Sequence, residues 1–168
     1  MDRAELQAVQ KPLKDRYREE PAAALVTLRA DGELDAGQIA CKIDTGRALV
    51  EAGLHPATGG TGALACSGDM LLEALVACAG VTLRSVATSM ELDVSGSVHA
   101  EGDLDFRGTL GVDREAPVGF ASIRLRFELS SDASQEELDK LLERTERYCV
   151  VFQTLAGGVP VELGYSTS

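Results

Sequence analysis

Hydrophobic and polar positions change their spacing several times along the chain, and each change marks an element. Asp2 to Gln10 sets Leu6 and Val9 among charged residues, and Pro12, tolerated at a first helical position, opens a second short helix through Glu19. These make an N-terminal helical arm over residues 1–20, ahead of a single domain over 21–168. After Pro21 the pattern turns strand-like at Ala24 to Arg29, Ile39 to Ile43 and Arg47 to Val50, and Asp31-Gly32 is a turn of the hairpin kind. His55 to Gly68 holds Pro56 and the run Thr58-Gly59-Gly60-Thr61-Gly62, which regular elements exclude, so it reads as a flexible loop.

Asp69 to about Met90 is a long apolar helix, capped by Ser67 or Asp69, with only Glu73 and Arg84 charged inside it. The uncharged run between those two is ten residues, short of the roughly 20 that a membrane span needs, so a buried core helix is expected. Leu71, Leu75, Cys78, Thr82 and Val86 follow the spacing of one helical face, and Ala74, Ala77 and Gly80 leave room for a second backbone. Alternation returns at Val94 to Gly102 and at Ala121 to Leu129, the latter apolar at Ile123, Leu125, Phe127 and Leu129 with charge between. Ser134 and Glu137 form a capping-box pattern before Leu138, Leu141 and Leu142, which starts a helix to about Tyr148. Gly157-Gly158 then breaks the chain, and Val159 to Tyr165 reads as a last strand. Strands, buried helix, strands, helix and strand describe an α+β fold.

Composition narrows the partners. Lys plus Arg number 16 and Asp plus Glu 27 in 168 residues, so 16 − 27 gives a net charge of −11, which argues against nucleic acid. Met1 to Glu20 shows no secretory signal, so a cytoplasmic protein is expected. In that compartment cysteines are inert small hydrophobes or reactive thiols rather than structural disulfides. Cys78 lies mid-helix, Cys149 where the second helix gives way, Cys66 just before the long helix and Cys41 on a strand with Ile39 and Ile43. Free Cys is among the most buried residue types, so inert packing suits all four on residue chemistry alone. No Cys-x-x-Cys or paired-His spacing exists for a metal, since His55 and His99 stand apart, and the glycine run lacks the Lys-Ser/Thr of a phosphate loop. No metal or cofactor is expected.

Two stretches change the weighing of the thiols. Cys66-Ser67-Gly68-Asp69-Met70-Leu71-Leu72-Glu73-Ala74-Leu75-Val76-Ala77-Cys78, after a glycine-rich loop, and Cys149-Val150-Val151-Phe152-Gln153-Thr154-Leu155, after an acidic helix, both resemble motifs of the OsmC/Ohr family of thiol-dependent peroxidases. The order of elements resembles the family from about Ala22 to Ser166. The resemblance implies antiparallel sheets wrapped around a long central helix in an intertwined homodimer. It also implies that Cys78 is the peroxidatic thiol, that Cys149 resolves its sulfenic acid as a disulfide, and that a dithiol reductant reopens it. An arginine from the early strands would favour the thiolate, with Arg47 the first candidate and Arg29 the second. Two departures stand out: Gly68 occupies the place of the family's Glu, with Asp69 and Glu73 nearby, and Val150 replaces the Pro after the second Cys, a change of backbone rather than of thiol. They favour an alternative in which the fold binds a small apolar ligand at the dimer interface without a peroxide cycle.

Overall fold

The computed structural model describes residues 2–20, 31–34, 40–44 and 49–167. They divide into two compact units, Met1–Glu73 with His99–Arg126, and Ala74–Val98 with Phe127–Ser168.

In the first unit, helix α1 (Arg3–Glu19) is one helix, not two. The Asp2 carboxylate accepts from the Glu5 amide at 2.8 Å and the Glu5 carboxylate accepts from the Asp2 amide at 2.9 Å, a reciprocal cap that starts the helix. Pro12 therefore sits inside the helix, at the cost of one backbone bond. Strands β1 (Asp31–Leu34), β2 (Ala40–Asp44), β3 (Leu49–Gly53) and β4 (Ala65–Cys66) form a sheet in that order. Its first two pairings are antiparallel and the last is parallel. Asp31-Gly32 is not the expected turn: both residues are ladder positions opposite Asp44 and Ile43. The strand expected at Ala24 to Arg29 lies outside the described residues.

The stretch expected to be a flexible loop is partly built. A 3-10 turn at Pro56–Thr58 is capped by His55, whose Nδ1 accepts from the Ala57 amide at 3.0 Å and whose ring stacks on Phe106 at 4.9 Å. Gly60 is required there, because a Cβ would stand 1.7 Å from the Leu54 carbonyl oxygen. Strands β5 (Ser95–Leu104) and β6 (Phe120–Ser130) pair as a two-stranded sheet. Along β6 the half-buried Ile123, Leu125, Phe127 and Leu129 alternate with exposed Ser122, Arg124, Arg126 and Glu128, as the sequence period requires. On the wet face of the first unit Arg124 holds the Asp103 carboxylate through both terminal nitrogens and reaches Glu101 at 3.4 Å. The short helix α3 (Phe106–Thr109) between the two strands is capped by Asp105, whose carboxylate accepts from the Arg107 amide at 3.1 Å.

The second unit is built on α2 (Ser67–Ser89), α4 (Gln135–Tyr148) and α5 (Val150–Gly157). The α2 line that is buried is Leu75, Ala79, Leu83 and Ala87, one residue around from the expected face: Leu71 is exposed, and Cys78, Thr82 and Val86 are half-buried. At 23 residues α2 is long and apolar enough to cross a membrane by length and composition, a broader result than the ten-residue uncharged run indicates. Leu83, Ala87, Val94 and Leu141 form the core, with Phe127, Leu129, Leu138 and Leu142 packed against it. The Arg84 guanidinium donates to the Val94 carbonyl, tying α2 to the chain that enters β5. The expected capping box of α4 is present in both directions between Ser134 and Glu137. The strand expected at Val159 to Tyr165 is absent from the described residues: this segment has no regular structure, and Val161, Leu163 and Tyr165 are exposed.

Candidate functional site

Helix α4 sets the first half of the site. Its buried stripe, Leu141, Thr145 and Cys149, repeats every four residues, and Cys149 is 1% exposed. Thr145 leaves nothing orphaned, since its hydroxyl donates to the Leu141 carbonyl at 2.7 Å. The Cys149 amide still donates to the Thr145 carbonyl at 2.9 Å, but its ψ of 107° ends the helix. A second helix begins at once, and the Gln153 amide donates to the Cys149 carbonyl at 2.9 Å.

A new helix start leaves its first amides without intrahelical partners. Cys149 is the N-cap residue of α5, yet its side chain makes no capping bond. The Val151 and Val150 amides bear on Cys78 from the neighbouring helix, and the Phe152 and Val151 amides bear on Cys149 without closing a capping hydrogen bond. Cys78, half-buried between Leu75 and Ala79 on α2, also receives the Thr82 hydroxyl from one turn further on and the Cys149 thiol. Both cysteines are free thiols in contact with each other.

The two are polarised in opposite directions. Burial pushes the Cys78 thiol up, but the Val151 amide, the Cys149 thiol, the Val150 amide and the Thr82 hydroxyl together hold it below the ordinary thiol range. Burial pushes the Cys149 thiol up; the Phe152 amide opposes this, while the hydrogen bond to Cys78 and its charge reinforce it. Cys78 thus ionises first, and Cys149 stays a neutral S–H donor beside it. One nucleophilic sulfur and one protonated sulfur in contact are the arrangement that thiol–disulfide chemistry needs.

Of the sequence candidates, Cys78 and Cys149 meet here, whereas Arg47 and Arg29 lie outside the described residues. Cys41 is on β2, opposite Leu34 and Ala52. Cys66 is a half-buried free thiol on β4, in the first unit, and pairs by backbone with Gly53. Gly68 faces the Phe120 ring, Cys66 Sγ and Leu104, each 3.5–3.6 Å from where a Cβ would be, so that position is enclosed by apolar groups and sulfur. Asp69 and Glu73 are exposed. No cluster of three metal-ligating side chains occurs among the described residues. Thr82, Val150 and Val151 are the groups that the sequence reading did not assign to the site. Thr82 was marked by its i+4 spacing from Cys78, but backbone donors carry no side-chain signature. The Val150 departure, expected to change backbone and not thiol, reaches the thiol through its amide.

Fold and site define an α+β protein with a pair of unlike thiols where a long apolar helix meets the junction of two others. The family model of OsmC-like proteins matches residues 60–164, and the chain belongs to that family. No curated protein matches it. Among solved structures it is similar to an OsmC-like protein from Mycoplasma pneumoniae at 17% identity and TM-score 0.64, covering 79% of this chain and 89% of that one. It is also similar to an organic hydroperoxide resistance protein OsmC from Legionella pneumophila, at 18% identity and TM-score 0.55 over 80% of this chain and 92% of that one. A third likeness is to the organic hydroperoxide resistance protein OhrB of Bacillus subtilis, at 19% identity and TM-score 0.50 over 80% of this chain and 93% of that one. At these identities the likeness establishes the OsmC/Ohr fold, which agrees with the α+β class read from the sequence.

Proposed function

We propose that this protein is a cysteine-based peroxidase that reduces organic hydroperoxides or hydrogen peroxide. The observation that carries the reading is the contact between Cys78, held below the ordinary thiol range, and a protonated Cys149. The Cys78 thiolate attacks the peroxide oxygen, the O–O bond breaks, and the departing alkoxide takes a proton to leave as an alcohol, or as water from hydrogen peroxide. Cys78 becomes a sulfenic acid. Cys149 then attacks its sulfur, water leaves, and a Cys78–Cys149 disulfide forms. A dithiol reductant supplies two electrons and two protons to restore both thiols. Arg47, ahead of Arg29, is the proposed cationic side chain.

The remaining features fit a cytoplasmic homodimer with an N-terminal arm over residues 1–20 and one domain over 21–168, bound to neither nucleic acid nor membrane. Exposed apolar side chains support self-association: Val81 on α2 is 73% exposed, and Val161 and Leu163 in the C-terminal segment are 89% and 101% exposed. The test of function mixes reduced protein with an organic hydroperoxide and a dithiol, follows peroxide loss, and repeats the measurement with Cys78→Ser. Turnover is expected in the parent and not in the variant. A parent without turnover, or a variant as active as the parent, overturns the reading.

A further inference from the structure

The break between α4 and α5 is bridged by a side chain as well as by the backbone. In an unbroken helix the Glu146 carbonyl would accept from the amide four residues on, that of Val150. Cys149, with ψ 107°, is extended, so Glu146 carries one of the last-turn carbonyls for which a helix has no partner of its own. The Gln153 side chain takes that place: its Nε2 donates to the Glu146 carbonyl at 2.9 Å. The main-chain amide of the same residue donates to the Cys149 carbonyl at 2.9 Å. One residue of α5 thus grips α4 at Glu146 and the junction at Cys149, and it fixes the turn from which the 1% exposed Cys149 side chain projects.

We propose that Gln153 is a positioning residue for Cys149, a clamp across the α4–α5 junction that keeps the Cys149 sulfur where disulfide formation with Cys78 needs it. The inference rests on the reading of Cys149 as the resolving thiol and adds the residue that holds that thiol in place. A side chain at 153 without a donor frees α5 to swing about Cys149, which lowers the effective concentration of one sulfur at the other. Gln153 is exposed, so its side-chain bond competes with water and its effect belongs at the small end for a neutral hydrogen bond.

The assay equilibrates the protein with oxidised and reduced dithiothreitol and quantifies the cross-linked Cys78–Cys149 peptide, so that Cys41 and Cys66 do not contribute. The two thiols pass two electrons and two protons to oxidised dithiothreitol, which becomes the dithiol as the protein S–S bond forms. Gln153→Met removes the donor at similar length and helix propensity, and its disulfide should form with an equilibrium constant about two- to fivefold smaller than the parent's. Gln153→Lys returns a donor of sufficient reach and should restore the parent value. A Met variant equal to the parent, or a Lys variant as impaired as the Met variant, overturns the clamp, because the effect then does not follow the donor. A parent that forms no Cys78–Cys149 disulfide overturns it too. Should the Met variant fail to fold, the parent decides: the Gln153 side-chain N–H protons must exchange more slowly in the folded protein than in a peptide of residues 150–157, and equal rates overturn the clamp. A disulfide that follows the donor at 153 in a protein without peroxide turnover would leave the clamp standing and remove the peroxidase reading.

Discussion

Leu141 is the residue on which the second unit and the position of Cys149 both depend. It is 0% exposed, lies in one cluster with Leu83, Ala87 and Val94, and begins the buried stripe that continues through Thr145 to Cys149. Leu141→Ala removes three carbons, worth about 2.4 kcal/mol at roughly 0.8 kcal/mol for each buried methylene. A cavity term adds to this, and Leu→Ala changes at well-packed sites cost about 2.7–5 kcal/mol. Neighbours on α2, the segment ahead of β5, β6 and α4 surround the side chain, so the site has little freedom to collapse, and about 3–4 kcal/mol is expected. For a chain of this size that lowers the Tm by about 8–14 °C. The assay is thermal and urea unfolding of the reduced protein, with parent and variant at one protein concentration because self-association would otherwise shift both. A loss under about 1 kcal/mol would show that Leu141 is not the centre of this core and that the stripe does not anchor Cys149.

Three further predictions test single contacts. Thr82→Val removes the hydroxyl donor from Cys78 at nearly constant shape, so Cys78 alkylation at neutral pH should slow by about three- to tenfold, and Thr82→Ser should restore it. Gly96→Ala should cost roughly 2 kcal/mol or more in urea unfolding, since Gly96 has φ 139° and a Cβ would meet the Glu128 carbonyl oxygen at 1.9 Å; an unchanged midpoint refutes the close approach of β5 to β6. Arg124 and the Ser122 hydroxyl hold the exposed Asp103 carboxyl well below the usual range, so their stabilisation is fully present above about pH 4 and is lost as pH falls through the lower folded value; Asp103→Asn should flatten that acid limb of stability against pH.

How much of this was legible in the sequence follows from which physics each feature uses. The period of β6, the capping box at Ser134 and the long apolar α2 are local patterns, and each stands where the residues place it. Asp31-Gly32 failed as a turn because turn chemistry is a preference that strand pairing with Ile43 and Asp44 overrides. Pro12 failed as a helix start because the reciprocal cap of Asp2 and Glu5 nucleates a helix that carries through it. The buried line of α2 was displaced by one residue because an apolar helix with few charges offers several faces, and the choice among them is made by the partners, here Val94 and Leu141. The two cysteines of the candidate site were singled out by resemblance to motifs, not by spacing. Beside the Thr82 hydroxyl and the Cys149 thiol, the groups that polarise them are main-chain amides whose direction is fixed by the break at Cys149, and no residue type announces that break.

The opposite polarisation of the thiols has a consequence for stability that separates them. Cys78 is an acid held below its unfolded value, so the stability it supplies is fully present above the unfolded thiol pKa of about 8.5 and falls away as pH drops through the lower folded value. Cys149 is an acid raised above its unfolded value, so its contribution is fully present below about pH 8.5 and is lost as pH rises through the higher folded value. The first contribution grows with pH just where the second has not begun to fall, so the pair favours the folded state most near the ordinary thiol pKa. Urea unfolding of the reduced protein against pH, with Cys78→Ser and Cys149→Ser measured beside it, resolves the two limbs. Relative to the parent, Cys78→Ser should remove the part of stability that rises from neutral pH toward 8.5, and Cys149→Ser the part that falls beyond it. Parallel curves for all three proteins would mean that neither thiol changes its ionisation on folding, and the mutual contact of Cys78 and Cys149 would then not account for a reactive sulfur.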